Sequence, residues 1–100
     1  MANVPSSRAG TVAGPSSNSY YTIGGFTLGN YTVSISNLLR DADLFVYPNS
    51  TFSTTICQSE LDSTATDSCN INCPTSTCND VYIRILGFDT GGTSFTLSVQ

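Results

Sequence analysis

Between Asn30 and Tyr47 the sequence reads NYTVSISNLLRDADLFVY, an alternating segment, a short polar turn and then a second apolar segment. Strand side chains alternate between two faces, so Tyr31, Val33 and Ile35 fall on one side and Thr32, Ser34 and Ser36 on the other. Leu44-Phe45-Val46-Tyr47 follows as a more deeply buried strand, preceded by the carboxylates of Asp41 and Asp43. A chain with this period folds into sheets with one apolar face, and the remaining sequence carries the same signal. Tyr20 to Ile23 reads as a short strand stopped by Gly24-Gly25, and Phe26 to Leu28 precedes a Gly29-Asn30 turn. Pro48-Asn49-Ser50 ends the Leu44–Tyr47 strand, and Phe52 to Ile56 is a further candidate. Val81 to Phe88 sets Val81, Ile83 and Ile85 against Tyr82, Arg84 and Leu86. Asp89 to Gly92 turns the chain, and the closing strand points Phe95, Leu97 and Val99 inward. Only residues 37–42 and 59–66 could hold a helical turn, and neither sustains a 3.6 period. Six to eight short strands separated by turn residues predict an all-β fold, a single antiparallel β-sandwich or jelly-roll-like domain.

One hundred residues suffice for one domain with one core. Residues 1–19 are rich in Pro, Gly, Ser, Ala and Asn and read as a linker or N-terminal extension, leaving residues 20–100 as the sandwich. Within that extension Ala9 to Ala13 is a candidate edge or donor strand, in its own domain or a neighbour's. Met1-Ala2-Asn3 lacks the basic start and apolar centre of a signal peptide. Two readings fit that start: a domain taken from a longer secreted protein, or a cytosolic chain. The cysteines favour the first.

Cys57, Cys69, Cys73 and Cys78 allow three disulfide pairings, of which the local one, Cys57–Cys69 with Cys73–Cys78, is favoured. A zinc site is the rival, but the spacing offers no Cys-x-x-Cys knuckle and the chain has no His. Disulfides imply an oxidising, extracellular compartment.

Charged residues make up only 10% of the chain, against about 25% in ordinary soluble domains. The net charge is −4, with Arg the only basic residue type. That balance argues against a nucleic-acid ligand, which requires a basic face, and against attraction to an anionic bilayer. No apolar run approaches a membrane span. Without His or Lys, Ser-His-Asp, Cys-His and lysine-based catalysis are excluded. The carboxylate pairs Asp41/Asp43 and Glu60/Asp62 leave room for a glycosidase pair, but a small sandwich lacking Trp offers it little cleft. The chain reads as a non-enzyme.

Asp41-Ala42-Asp43-Leu44-Phe45-Val46 resembles the D-x-D-L-[YF]-V strand of bacterial pre-peptidase C-terminal (PPC) domains. Val81 to Phe88 and Gly91 to Leu97 resemble the closing Y-[VI]-R-[VI]-x-G-[FY] and G-x-[ST]-x-[FY]-x-L pair of that family. The likeness runs from about Tyr20 to Val99. It implies a β-sandwich accessory domain appended to secreted proteases and other exported enzymes, with catalysis lodged elsewhere. Cys57 and Cys69 sit where many members carry a disulfide, whereas the Cys73–Cys78 insertion departs from the pattern. Related domains of bacterial collagenases bind collagen, and some bind calcium.

These expectations single out a few residues. Asp41 and Asp43, with Glu60, Asp62 and Asp67 as further carboxylates, are calcium candidates. Their alternative role is to cap a turn through backbone N–H groups. Tyr47 and Tyr82, each out of phase with an apolar set, are expected to be exposed. With Arg84 they form the candidate ligand site within a tyrosine strip that also draws on Tyr20, Tyr21 and Tyr31. The competing reading has Arg84 reaching solvent or a carboxylate over its own stem, and the tyrosines as core or rim residues with satisfied hydroxyls. Asn30 and Asn49 open N-glycosylation sequons. The expected partner is an extracellular polymer, a collagen-like protein or a polysaccharide. The alternative is other copies of the chain in a filament that exchanges residues 1–19.

Overall fold

The computed structural model describes residues 2–4, 6–14, 17–48, 55–59, 66–87 and 91–100. Among them every regular element is a strand: β1 Ala2–Asn3, β2 Ser6–Val12, β3 Ser17–Gly24, β4 Gly29–Ser36, β5 Ala42–Tyr47, β6 Cys57–Ser59, β7 Asp67–Cys73, β8 Val81–Gly87 and β9 Thr93–Val99. They form two sheets, one ordered β1-β3-β8-β5-β6 and the other β2-β9-β4-β7. All pairings are antiparallel except the short β1–β3 contact. The architecture is the expected β-sandwich.

Alternation places the core as the sequence predicts. Val33 and Ile35 of β4, with Phe95, Leu97 and Val99 of β9, meet Val81, Ile83 and Ile85 of β8 and Leu44 and Val46 of β5 across the sheet interface. Each fully buried aliphatic side chain contributes about 1.5–3 kcal/mol relative to exposure. β8 and β9 both alternate strictly between buried and half-buried residues. In contrast β5 is buried at all six positions, the mark of a strand covered on both faces.

Several local expectations change. Gly29 and Asn30 belong to β4 rather than to a turn. The chain reverses earlier, at Gly25, and the loop is pinned by Tyr31, whose hydroxyl accepts from Thr27 N (3.0 Å) and donates to Thr27 O (2.9 Å). No helical turn forms over 37–42. Instead Asn37 takes a left-handed φ of 57°, tolerated by Asn. Buried Thr93 then gathers the backbone amides of Leu39 and Arg40 on its hydroxyl, at 2.8 and 3.1 Å. Of the second helical candidate, Ser59 ends β6, Thr66 precedes β7, and residues 60–65 lie outside the described residues. Of the 52–56 strand candidate, Thr55 and Ile56 are irregular, and the rest likewise lies outside.

Residues 1–19 contribute β1, β2 and the first part of β3. β2 runs along β9 in full antiparallel register, from Ser6 opposite Val99 to Val12 opposite Thr93. Its backbone is thus paired within its own chain, and the exchanged-strand alternative finds no support. Gly10 explains why a linker-like composition docks here. A Cβ at that position would overlap the Tyr21 hydroxyl and lie 2.8 Å from Phe95 Cζ, so only glycine lets β2 approach. Arg8 adds a guanidinium 5.1 Å over the Tyr21 ring.

Both disulfides pair as expected, Cys57–Cys69 and Cys73–Cys78. The first ties β6 of one sheet to β7 of the other.

Candidate functional site

The two outer faces of the sandwich differ in chemistry. On the five-stranded sheet the register sets Phe45, Arg84 and Tyr20 side by side across β5, β8 and β3. The next row is Tyr47, Tyr82 and Thr22, and the row on the other side is Asp43, Leu86 and Asn18. Directly opposed side chains on a sheet stand about 4.5–5.5 Å apart, so this lattice is a contiguous patch.

Arg84 is its centre. The guanidinium lies 4.3 Å over the Phe45 ring and 5.9 Å from the Tyr47 ring centre. Its Nε donates to the Tyr47 hydroxyl at 3.1 Å, and its Nη1 donates to Asn18 Oδ1 at 3.1 Å. A cation held over an aromatic face contributes about 0.5–2 kcal/mol, depending on desolvation. These contacts fix Arg84 before any ligand arrives, so its remaining donors are presented at low entropic cost.

Exposure corrects one expectation. Tyr47 is only 4% exposed, not a surface tyrosine, because both faces of β5 are covered. Its hydroxyl is engaged by Arg84. Tyr82 is half-buried, and Tyr20 is 56% exposed. Tyr20, Tyr82 and Arg84 therefore form the accessible part of the patch, while Phe45, Tyr47 and Asn18 position Arg84. Phe45 and Asn18 escape a reading of the sequence because only strand register brings them to Arg84.

The other tyrosines do not join the strip. Tyr21 packs edge-on against Phe95, with ring centres 6.1 Å apart, and Tyr31 edge-on against Phe26 at 4.9 Å. Hydrogen bonds from the Thr27 side chain, and then from its backbone, hold the Tyr31 hydroxyl below the usual phenol range.

Asp41 is half-buried just before β5, and Asp43 is 3% exposed within it, opposite Leu86. Asp67, fully buried, begins β7 opposite Ile35. Among the described residues no group of three or more Asp, Glu, His or Cys side chains converges on one point. Calcium takes six to eight oxygens from carboxylates, carbonyls and water, of which Asp41 and Asp43 would supply two side chains. Glu60 and Asp62 lie outside the described residues. Of the sequons, Asn30 is exposed on β4, and Asn49 lies outside the described residues.

The four-stranded sheet carries the opposite chemistry. Outward from β4 point Asn30, Thr32, Ser34 and Ser36, and from β7 Ser68, Asn70 and Asn72. From β9 point Ser94, Thr96 and Ser98, and from β2 Ser7, Ala9 and Thr11. Among the described residues this face holds neither a charged nor an aromatic side chain.

Two twisted sheets stapled by a disulfide, without His, Lys or a free thiol, define a disulfide-bonded β-sandwich module. More particularly, the chain has the fold of a pre-peptidase C-terminal domain. It superposes on that domain of the collagenase from Bacillus anthracis with a TM-score of 0.77 at 16% identity, covering 100% of this chain and 95% of the other. PliG of Aeromonas hydrophila, a periplasmic inhibitor of g-type lysozyme, is similar with a TM-score of 0.62 at 16% identity, covering 95% of this chain and 85% of that one. No protein-family model matches the sequence, and no curated protein is similar to it by sequence. Among the described residues no helix is long and apolar enough to cross a membrane.

Proposed function

We propose that this chain is a non-catalytic accessory module of a secreted bacterial enzyme, holding that enzyme on an extended extracellular polymer. The polymer is a protein such as collagen, or a polysaccharide. The observation that carries the reading is Arg84, fixed by Phe45, Tyr47 and Asn18 beside the accessible rings of Tyr20 and Tyr82. Rigid aromatics around a pre-set guanidinium are the composition of binding hot spots. Likeness in fold to a collagenase domain supports an appended, polymer-directed role. Two disulfides support an oxidising compartment. The lack of His, Lys and free thiol supports a module without chemistry of its own.

The test is retention on fibrillar collagen, gelatin and insoluble polysaccharides, comparing the full chain with Tyr20→Ala/Tyr82→Ala and with Arg84→Gln. One of these polymers is expected to retain the wild type, with the double variant at least tenfold weaker. Equal retention of wild type and variants removes this face from the reading. No retention on any polymer removes the reading itself.

A further inference from the structure

We infer that the outer face of the four-stranded sheet is a second binding site, whose ligand is an uncharged polysaccharide in extended form. A shallow depression of about 450 Å³ lies there, lined by Ala9, Gly10, Thr11, Asn37, Ser94, Phe95 and Thr96. A second, of about 380 Å³, shares Thr11 and Ser94 with it and runs on to Arg40 and Gly92. The two adjoin at Thr11 and Ser94 along β2 and β9, and are treated as one open groove.

Its shape has a sequence cause. Ala9 stands directly opposite Thr96 in the register, and its single methyl leaves the hollow. The far wall is built by the 37–40 loop, which Thr93 anchors by its backbone amides and Asn37 by donating Nδ2 to Thr96 Oγ1 at 3.0 Å. Arg40 at the far end donates Nη1 to Gly92 O at 3.0 Å, which spends part of its guanidinium on the protein.

Chemistry selects the ligand class. Hydroxyls both donate and accept and rotate to suit their partner, which matches a chain bearing hydroxyls on every unit. Short Ser and Thr side chains lose little rotamer freedom on binding, unlike Lys or Glu. The central depression offers no charge to pair with an acidic or basic polymer, and Phe95 in its lining is only 2% exposed, so no ring is offered as an apolar anchor. Strand pleating repeats like-facing hydroxyls every second residue, about 6.6–6.8 Å along each strand, and about 4.7–4.9 Å between strands. An extended chain lying in the groove meets that repeat at Ser94, Thr96 and Ser98 of β9 and at Ser7 and Thr11 of β2, with Ala9 as the gap between them. This inference does not rest on the aromatic patch of the opposite sheet.

The test uses the full chain in affinity electrophoresis with hydroxyethyl cellulose and mannan, and in pull-down on cellulose and chitin. Alginate and heparin serve as charged controls. Retention on at least one neutral polymer is expected, with less than twofold change between 50 mM and 1 M salt. Ala9→Glu and Thr96→Glu are expected to weaken it at least tenfold, and Thr96→Val, which keeps the side-chain shape, by about tenfold. Thr96→Ser and Arg84→Gln are expected to retain it, the latter separating this site from the aromatic patch. Stronger binding of alginate or heparin, or indifference to Ala9→Glu and Thr96→Glu in variants that keep the wild-type circular dichroism, overturns the inference. So does equal loss in Arg84→Gln, or no retention on any neutral polymer.

Discussion

Arg84 donates its Nε to the Tyr47 hydroxyl at 3.1 Å while its guanidinium covers Phe45 at 4.3 Å. One side chain thus seals two aromatics that point away from the core. This pairing explains how Phe45 and Tyr47 are buried although only Ala42, Leu44 and Val46 of β5 face the opposite sheet.

Removing that cover should cost stability as well as binding. Arg84→Ala is expected to lower unfolding free energy by about 1–3 kcal/mol, combining a lost cation–π contact with hydrogen bonds from a charged donor. Arg84→Lys should recover only part, since an ammonium cannot bond Tyr47 and Asn18 in the fork geometry. Urea denaturation of the two variants measures both.

The seat of β2 depends on a missing Cβ. Gly10→Ala is expected to destabilise by about 1–3 kcal/mol, because the new methyl meets the Tyr21 hydroxyl and Phe95 in a packed site. Tyr21→Phe, which deletes the overlapping oxygen, should partly rescue it. A double-mutant cycle of these two changes should therefore show a favourable coupling.

The disulfides should differ in worth. Chain-entropy arithmetic for separations of 12 and 5 residues gives about 3 kcal/mol for Cys57–Cys69 and about 2 kcal/mol for Cys73–Cys78. Replacing each pair by Ala and comparing thermal midpoints tests the order. The Cys57/Cys69 variant should have the lower midpoint, since that bond also joins the two sheets.

Tyr31 should ionise below the ordinary phenol range. Its folded-state value is lowered by the Thr27 hydrogen bonds, relative to about 10 in an unfolded chain. Its contribution to stability is therefore fully present above about pH 10 and is lost as pH falls through the folded value. Ultraviolet titration should show an early phenolate absorbance that vanishes in Tyr31→Phe.

Much of the fold is legible residue by residue. The alternation in β4, β8 and β9 places Val33, Ile83 and Leu97 in the core without knowledge of any partner. Tyr47 shows where this ends: its phase assigns it correctly to the outer face, but phase carries no information about what covers that face. β2 shows it again. Its Ser, Ala and Gly composition reads as linker, and only the fit of Gly10 against Tyr21 and Phe95 turns it into a sheet edge. At the candidate site, Tyr82 and Arg84 are legible as out-of-phase polar residues in an apolar strand. Tyr20, Phe45 and Asn18 become their neighbours only through the β3–β8–β5 register.

By itself, then, the sequence determined the all-β class, the inward face of the main strands and the absence of His- or Lys-based chemistry, and it favoured the local one of three disulfide pairings. Tertiary structure alone decided which outer residues meet, which are covered, and where the hydroxyl groove runs. The physical reason is range. Alternation and short-loop cysteine pairing are local consequences of backbone geometry and chain length. A binding face, by contrast, is assembled from residues far apart in the chain, such as Ala9 and Thr96 or Asn18 and Arg84, whose proximity comes from strand register and sheet packing.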